Sequence, residues 1–288
     1  GRAVIDFNTS ASLSGRLQAL IDQALESDRD ATAARDYLGA SRVGASCERQ
    51  LQFEYAKAPV DPEKGFSGRL LRIFERGHRT EDMAIRWLRL AGFQLKTEDG
   101  QGQQFGFSVA NGRLRGHVDG VLISGPEGFA YPALWENKCL SAKSWKDLVK
   151  HKLAVSKPVY AAQVAVYQSY LDLHENPALF TAVNADTMEI YAELVPFDAQ
   201  LAQRMSDRAV KVIQATEAGE LLPRSFAESI RLPKATPDKP KGLAISVTFI
   251  QIVRSTGPCA LTPMAFLESA SASVFSSRGI QDRLTLGI

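Results

Sequence analysis

The chain has 288 residues, 45% of them hydrophobic, so it is long enough to bury a good core and fits one α/β domain with additions better than two equal domains. With 34 basic against 32 acidic side chains the net charge is only +2, which excludes a protein that clings to nucleic acid by bulk charge; any such binding needs a local patch. Three unpatterned cysteines (Cys47, Cys139, Cys259) argue for a reducing compartment. No apolar run reaches the ~18–20 residues needed to span a bilayer, and the stretch after Gly1 lacks a signal-peptide hydrophobic region, so a cytoplasmic location is expected.

In chain order, residues 1–39 are expected to form a helical extension, 40–225 the main domain and 226–288 a divergent, poorly ordered tail. Ser67 to Ala91 reads as a long helix, with Leu70, Phe74, Gly77, Ala84 and Leu88 along one face. Glu81 falls on that apolar face, where a carboxylate needs a cation or several donors. Asp82, four residues before Arg86, is explained by an exposed ion pair. His78, one turn before Glu81, reads as a metal ligand, a donor behind one, or a half-exposed helix residue; imidazole suits Mn²⁺ better than Mg²⁺.

Asn111-Gly112 is a hairpin-turn signal, and Arg113 to Ile123 reads as a strand with Asp119 near its middle. After the Gly125-Pro126 turn, Phe129 to Cys139 makes a second strand. Period-two alternation puts Glu136 and Lys138 on one face and Trp135 and Asn137 on the other. A Glu-x-Lys triplet is expected by chance about once in a chain of this size. Here it follows the apolar run Tyr131 to Trp135, where unpaired charge is costly. Carboxylate oxygens suit Mg²⁺ or Mn²⁺, which takes one or two protein carboxylates and keeps other positions for water and phosphate. A lysine beside it steadies charge on a scissile phosphate.

Ser141 to Leu153 reads as a helix with Trp145, Leu148, Val149 and Leu153 inward and Lys143, Lys146, Lys150, His151 and Lys152 outward, a face that either tracks a phosphate backbone or is merely solvated. Ser156 as cap and Pro158 in the first turn open a helix to about Leu173. Gln163, Tyr167 and Tyr170 share one face of it, suited to hydrogen-bond phosphate, stack on a base, or sit at the rim of the core. Strands near Leu179 to Asn184 and Met188 to Val195 and a helix near Asp198 to Glu217 complete an α/β pattern.

Taken in order, the helix with Gly77-His78 and Glu81, the Gly116-His117-Val118-Asp119-Gly120 strand, the Trp135-Glu136-Asn137-Lys138 strand and Gln163-x-x-x-Tyr167 resemble the PD-(D/E)XK nuclease superfamily. Within it they are most similar to the RecB-like and phage-exonuclease branch, which includes CRISPR-associated RecB-like nucleases. The resemblance covers roughly residues 40 to 220. His117-Val118 stands where the family's naming proline would precede the aspartate.

The resemblance implies a restriction-endonuclease-like α-β-β-β-α-β core with a mixed central sheet. It implies a divalent metal (Mg²⁺ or Mn²⁺) on Asp119, Glu136 and the Asn137 backbone carbonyl, with Glu81 assisting. Lys138 would help activate the attacking water. Gln163 and Tyr167 would position the nucleic-acid strand; the helix faces read above add Tyr170, Lys143, Lys146 and Lys150 as candidate contacts to DNA ends or single strands. The implied activity is a DNA exonuclease of phage or prokaryotic recombination and repair, with a helicase or recombinase as a conceivable partner.

Ala40 to Ala56, with Cys47, resembles the amino-terminal segment of RecB-like nucleases, where a cysteine joins three others on an iron–sulfur cluster. A cluster usually needs four thiolates, and three cysteines cannot supply them in the family's manner, so none is expected and Cys47 reads as a small buried hydrophobe. The Pro-punctuated, Ser-, Thr- and Ala-rich stretch beyond residue 226 lacks the family's cysteine run; the alternative there is one added strand at Leu243 to Val253. Competing readings are a nuclease-fold module that binds nucleic acid without cutting, a nucleotide phosphohydrolase, and a structural protein whose charges only form ion pairs.

Overall fold

The computed structural model describes residues 12–31, 35–60 and 65–225. The tail, with Cys259 and the Leu243 to Val253 segment, lies outside the described residues. Helix α1 (Leu13–Asp30) is followed by β1 (Leu38–Gly39), a 3-10 turn (Ala40–Arg42), α2 (Glu48–Tyr55) and the long α3 (Gly68–Leu90). Then come β2 (Gln94–Lys96), β3 (Gly106–Val109), β4 (Leu114–His117), β5 (Gly120–Ser124) and β6 (Ala133–Leu140). Helices α4 (Ala142–Ser156) and α5 (Pro158–Tyr170), strands β7 (Ala178–Asn184) and β8 (Ile190–Val195), and α6 (Ala199–Glu217) complete the described chain.

The central sheet has the order β2-β5-β6-β7-β8, with β6 and β7 parallel and the other neighbours antiparallel. A second, small sheet has the order β1-β4-β3; its strands β3 and β4 come between β2 and β5 in the chain, and β1 comes before α2. The sequence α3, β2, β5, β6, α4/α5, β7 is the α-β-β-β-α-β order expected, in a mixed α/β fold. Two apolar layers hold it. Ala84 of α3 packs with Phe93, Leu95, Leu122, Trp135 and Leu179 on one face of the sheet. On the other face, Leu134, Leu140 and Phe180 join Val164 and Val166 of α5, Val212 of α6 and Leu51 of α2. Cys47 is buried, as its reading as a small hydrophobe requires.

Four expectations are corrected. The single strand Arg113 to Ile123 is two strands in two sheets: β4 pairs with β3 as far as His117, and β5 starts at Gly120 opposite Trp135. Between them the Val118 N–H still donates to Phe105 O at 2.9 Å, so Asp119 sits at the bend where the chain changes sheets. The Phe129 to Cys139 strand begins only at Ala133, because Pro132 has no N–H to give a ladder.

Ser156 does not cap α5. Helix α4 runs through it across a break at Lys152 (φ 61°), and the Leu153 N–H freed by that break donates to Glu193 Oε2 at 2.9 Å. Ser156 instead donates its hydroxyl to Asp147, which also meets His151 Nδ1 at 3.0 Å and Lys157 Nζ at 3.2 Å. These hydrogen bonds, that from Ser156 foremost, hold the Asp147 carboxyl down at about 2. Val149, expected inward, is exposed, since the helix buries only Leu148 and Leu153 and half-buries Trp145, whose Nε1 donates to Ala182 O at 3.1 Å.

Helix α3 is capped by Ser67 and ends before Gly92 (φ 91°), close to the bounds read from sequence. Its carboxyl half covers the sheet; in its amino half Ile73 and Phe74 are exposed, and α1 packs alongside. A Cβ at Gly77 would meet nothing within 4 Å. Gly77→Ala is therefore expected to stabilise the helix by about 0.5–1 kcal/mol, read as a rise of about 2 °C in melting temperature. An unchanged or lower melting point would show that the backbone needs glycine there.

Candidate metal centre

Strand β6 carries the centre. Glu136 is fully buried on the α5 face; Trp135 and Asn137 lie on the α3 face, as the period-two reading requires. There Thr181 Oγ1 accepts from Trp135 Nε1 at 3.0 Å and donates to Asn137 Oδ1 at 2.8 Å, locking the strand to β7. Glu136 Oε1 accepts from Lys138 Nζ and from Gln163 Nε2, the latter at 2.6 Å. Its Oε2 is buried with no hydrogen-bond partner.

Asp119 arrives from the bend between the sheets. Beyond Trp135 the β5 side of β6 has no paired strand, and there Asp119 Oδ2 accepts the Asn137 N–H at 2.7 Å. In an extended strand the N–H and C=O of one residue leave on the same side, so the Asn137 carbonyl faces the Asp119 side. Lys138, 21% exposed, also lies 5.3 Å from the Tyr160 ring centroid.

Electrostatics couples these groups. Burial, then the Asp119 charge, push Glu136 up to about 8 against the pull of Lys138. Burial and Asp119 likewise push Glu81, on α3, up to about 7. Burial alone would lower Lys138, but the charges of Glu136 and Asp119 outweigh it and hold the ammonium well above its ordinary range. Three carboxyls share the field of one ammonium, so in the absence of a further cation Glu136 and Glu81 favour their protonated forms.

The residues fit a divalent cation on one observation above all. A fully buried carboxylate oxygen with no donor is costly unless a cation completes it. Among the described residues no three His, Cys, Asp or Glu side chains are grouped to enclose a metal. The fit is thus that of an ion taking one or two carboxylates plus main-chain and water oxygens. Glu81 shares the field of Asp119 and Lys138; His78 is exposed. Asp82 pairs with Arg79 at 3.7 Å, both exposed, and not with Arg86 as expected.

The residues expected to touch nucleic acid divide. Lys143, Lys146 and Lys150 are exposed on α4, directly after β6. Gln163 and Tyr167 are buried, and Tyr170 is half-buried with its hydroxyl 2.7 Å from Ser206 Oγ. Burial first, then Glu136, raise the Tyr167 phenol far above its usual range. Phe107 of β3 stacks on Tyr170 at 4.7 Å and meets Tyr167 edge-on at 5.8 Å. A Cβ at Gly116 would come within 2.6 Å of Phe107 and 2.7 Å of Tyr167, so this glycine is set by close approach. Thr181, Tyr160 and Phe107 were not foreseen. The demand of a buried Glu136 for a donor was the available signal for Gln163 facing inward.

No family model matches the chain, and a search of curated proteins finds no match. Among solved structures it is similar to SSO0001, at 12% identity over 68% of this chain and 86% of that one, with a TM-score of 0.41. It is also similar to an alkaline exonuclease, LHK-Exo from Laribacter hongkongensis, at 15% identity over 65% of this chain and 90% of that one, TM-score 0.43. The same enzyme in complex with dAMP matches at 15% identity, 64% and 89% coverage and a TM-score of 0.42. No helix among the described residues is long and apolar enough to cross a membrane.

Proposed function

We propose that this chain is a divalent-metal-dependent deoxyribonuclease that hydrolyses phosphodiester bonds by direct attack of water, working from DNA ends. The observation that carries the reading is Glu136: buried, with one oxygen shared by Lys138 and Gln163 and the other unpartnered, beside an aspartate held on the next residue's N–H.

Asp119, Glu136 and the Asn137 carbonyl would hold the ion, with Glu81 adding negative charge from the α3 side. A bound Mg²⁺ or Mn²⁺ supplies Lewis-acid polarisation of the phosphate and a more acidic water. Lys138, kept charged by its acidic neighbours, orients the attacking water and stabilises charge developing on the phosphate oxygens as the bond to the leaving ribose oxygen breaks. Gln163 fixes Glu136 Oε1 and so presents Oε2, with Tyr167 packed behind it. In this reading Gln163 and Tyr167 position the carboxylate, and the exposed α4 lysines meet the DNA backbone.

The test is cleavage of end-labelled linear and closed circular DNA with Mg²⁺, Mn²⁺ or EDTA. The expected result is metal-dependent cutting of linear DNA, sparing of circles, and a loss of at least ~10²-fold in Asp119→Ala. A folded wild type that cuts nothing with any metal overturns it in favour of a nucleic-acid-binding module, the reading in which the Lys138–Glu136 pair is inert.

A further inference from the structure

The amino half of α3 carries arginines at 69, 72, 76 and 79. At ~100° per residue these fall within about 80° of one another, a ladder about 15 Å long at ~1.5 Å per residue. Helix α1 lies antiparallel beside it: Glu26 accepts the Gly68 N–H at 2.6 Å and Asp22 pairs with Arg72. Between the helices is a cleft of about 470 Å³ lined by Gln18, Arg69, Arg72, Ile73 and Arg76.

Two of the arginines are uncommitted. Arg72 is taken by Asp22 and Arg79 loosely by Asp82, but Arg69 and Arg76 are exposed and make no ion pair within the described residues. Like charges stacked along one helix face destabilise it, and the acids of α1 neutralise only one end of the ladder. The guanidinium fork matches phosphate geometry. The ladder runs toward the turn that carries Glu81, and its length equals about four nucleotides at ~3.4 Å each.

We infer that the α1–α3 cleft is a phosphate-binding track for the single-stranded continuation of a polynucleotide engaged at the Glu136 centre, several nucleotides away from the bond being cut. The inference rests on the nuclease reading for its substrate class. The track adds affinity for length and takes no part in the chemistry.

The experiment is fluorescence anisotropy of labelled 20-nucleotide and 4-nucleotide single strands with the full chain in EDTA, across a KCl series. Arg69→Gln/Arg76→Gln is expected to weaken binding of the 20-mer roughly tenfold or more and to flatten its salt slope by about 1.4, at ~0.7 per lost contact. Arg69→Lys/Arg76→Lys keeps the slope and separates charge from folding.

A folded double Gln variant with wild-type affinity and slope for the 20-mer overturns the track, and so does a wild type that binds no strand. Cutting of the 4-mer with Mg²⁺, read in parallel, tests the centre by itself. Wild-type rates in the double variant together with lost 20-mer affinity support both, whereas a wild type that binds but never cuts removes the nuclease reading and leaves the track standing on the slope.

Discussion

Lys138→Ala is expected to lower cutting by at least ~10²–10³-fold, the cost of removing one preorganised group that meets developing charge. Its ammonium contacts Glu136 Oε1, and Glu136 is fully buried, so the variant leaves a carboxylate with Gln163 as its one donor. Breaking a buried ion pair costs about 3–5 kcal/mol when the remaining charge has no escape. Glu136 has one, because it can take a proton: its carboxyl already stands at about 8, and losing the cation raises it further.

A raised carboxyl makes the folded protein hold a proton that the unfolded chain gives up near pH ~4.3. Stability from this group is full below that pH and declines as pH rises toward the folded value. The variant's deficit in melting temperature relative to wild type, measured in EDTA, is therefore expected to be flat from pH 5 to about 7, where both folded proteins keep the proton, and to grow as pH rises through the wild-type value of about 8. A folded Lys138→Ala protein that cuts at the wild-type rate would sink the proposed role.

Gly116→Val is the second large effect. Its added atoms would fall on Phe107 and Tyr167, neither of which has room to retreat: Phe107 is stacked on Tyr170, and Tyr167 is buried with Gln163 as its hydrogen-bond neighbour. Overpacking of this kind costs about 1–3 kcal/mol. Pushing Tyr167 also moves Gln163, and with it the oxygen of Glu136 that Gln163 fixes, so cutting is expected to fall at least tenfold beyond what the loss of folded protein explains. Phe107→Ala in the Gly116→Val background makes room and should recover part of both losses, a coupling that a double-mutant cycle measures. Wild-type melting and cutting in Gly116→Val would refute the packing argument.

The parts of the site that follow from local periodicity were legible. Alternation along β6 separated Glu136 and Lys138 from Trp135 and Asn137, and the long helix with Ser67 at its start was readable from its cap and apolar spacing. Asn111-Gly112 does turn the chain, between β3 and β4, with φ of 54° and 82°.

Strands β2 and β3 were not found, since three or four residues are too few to display a period. Nor was the change of sheet at Asp119, because an apolar run reads the same whether one strand or two. The inward turn of Gln163 depends on a contact 27 residues away in sequence, which no local pattern encodes. The arginines of α3 were in plain view, but only the packing of α1 made them line a cleft.

The bend at Asp119 joins two sheets that are hydrogen-bonded separately, and the aspartate it carries belongs to neither. The central sheet alone bears Glu136 and Lys138; the aspartate is held from both sides, by the Asn137 N–H and through the Val118 N–H bond to Phe105 O just before β3. If the proposed hydrolysis holds, its rate would report on the integrity of the whole domain. Gentle heating or a nick that loosens β3 and β4 is then expected to abolish the proposed cutting while most of the secondary structure survives.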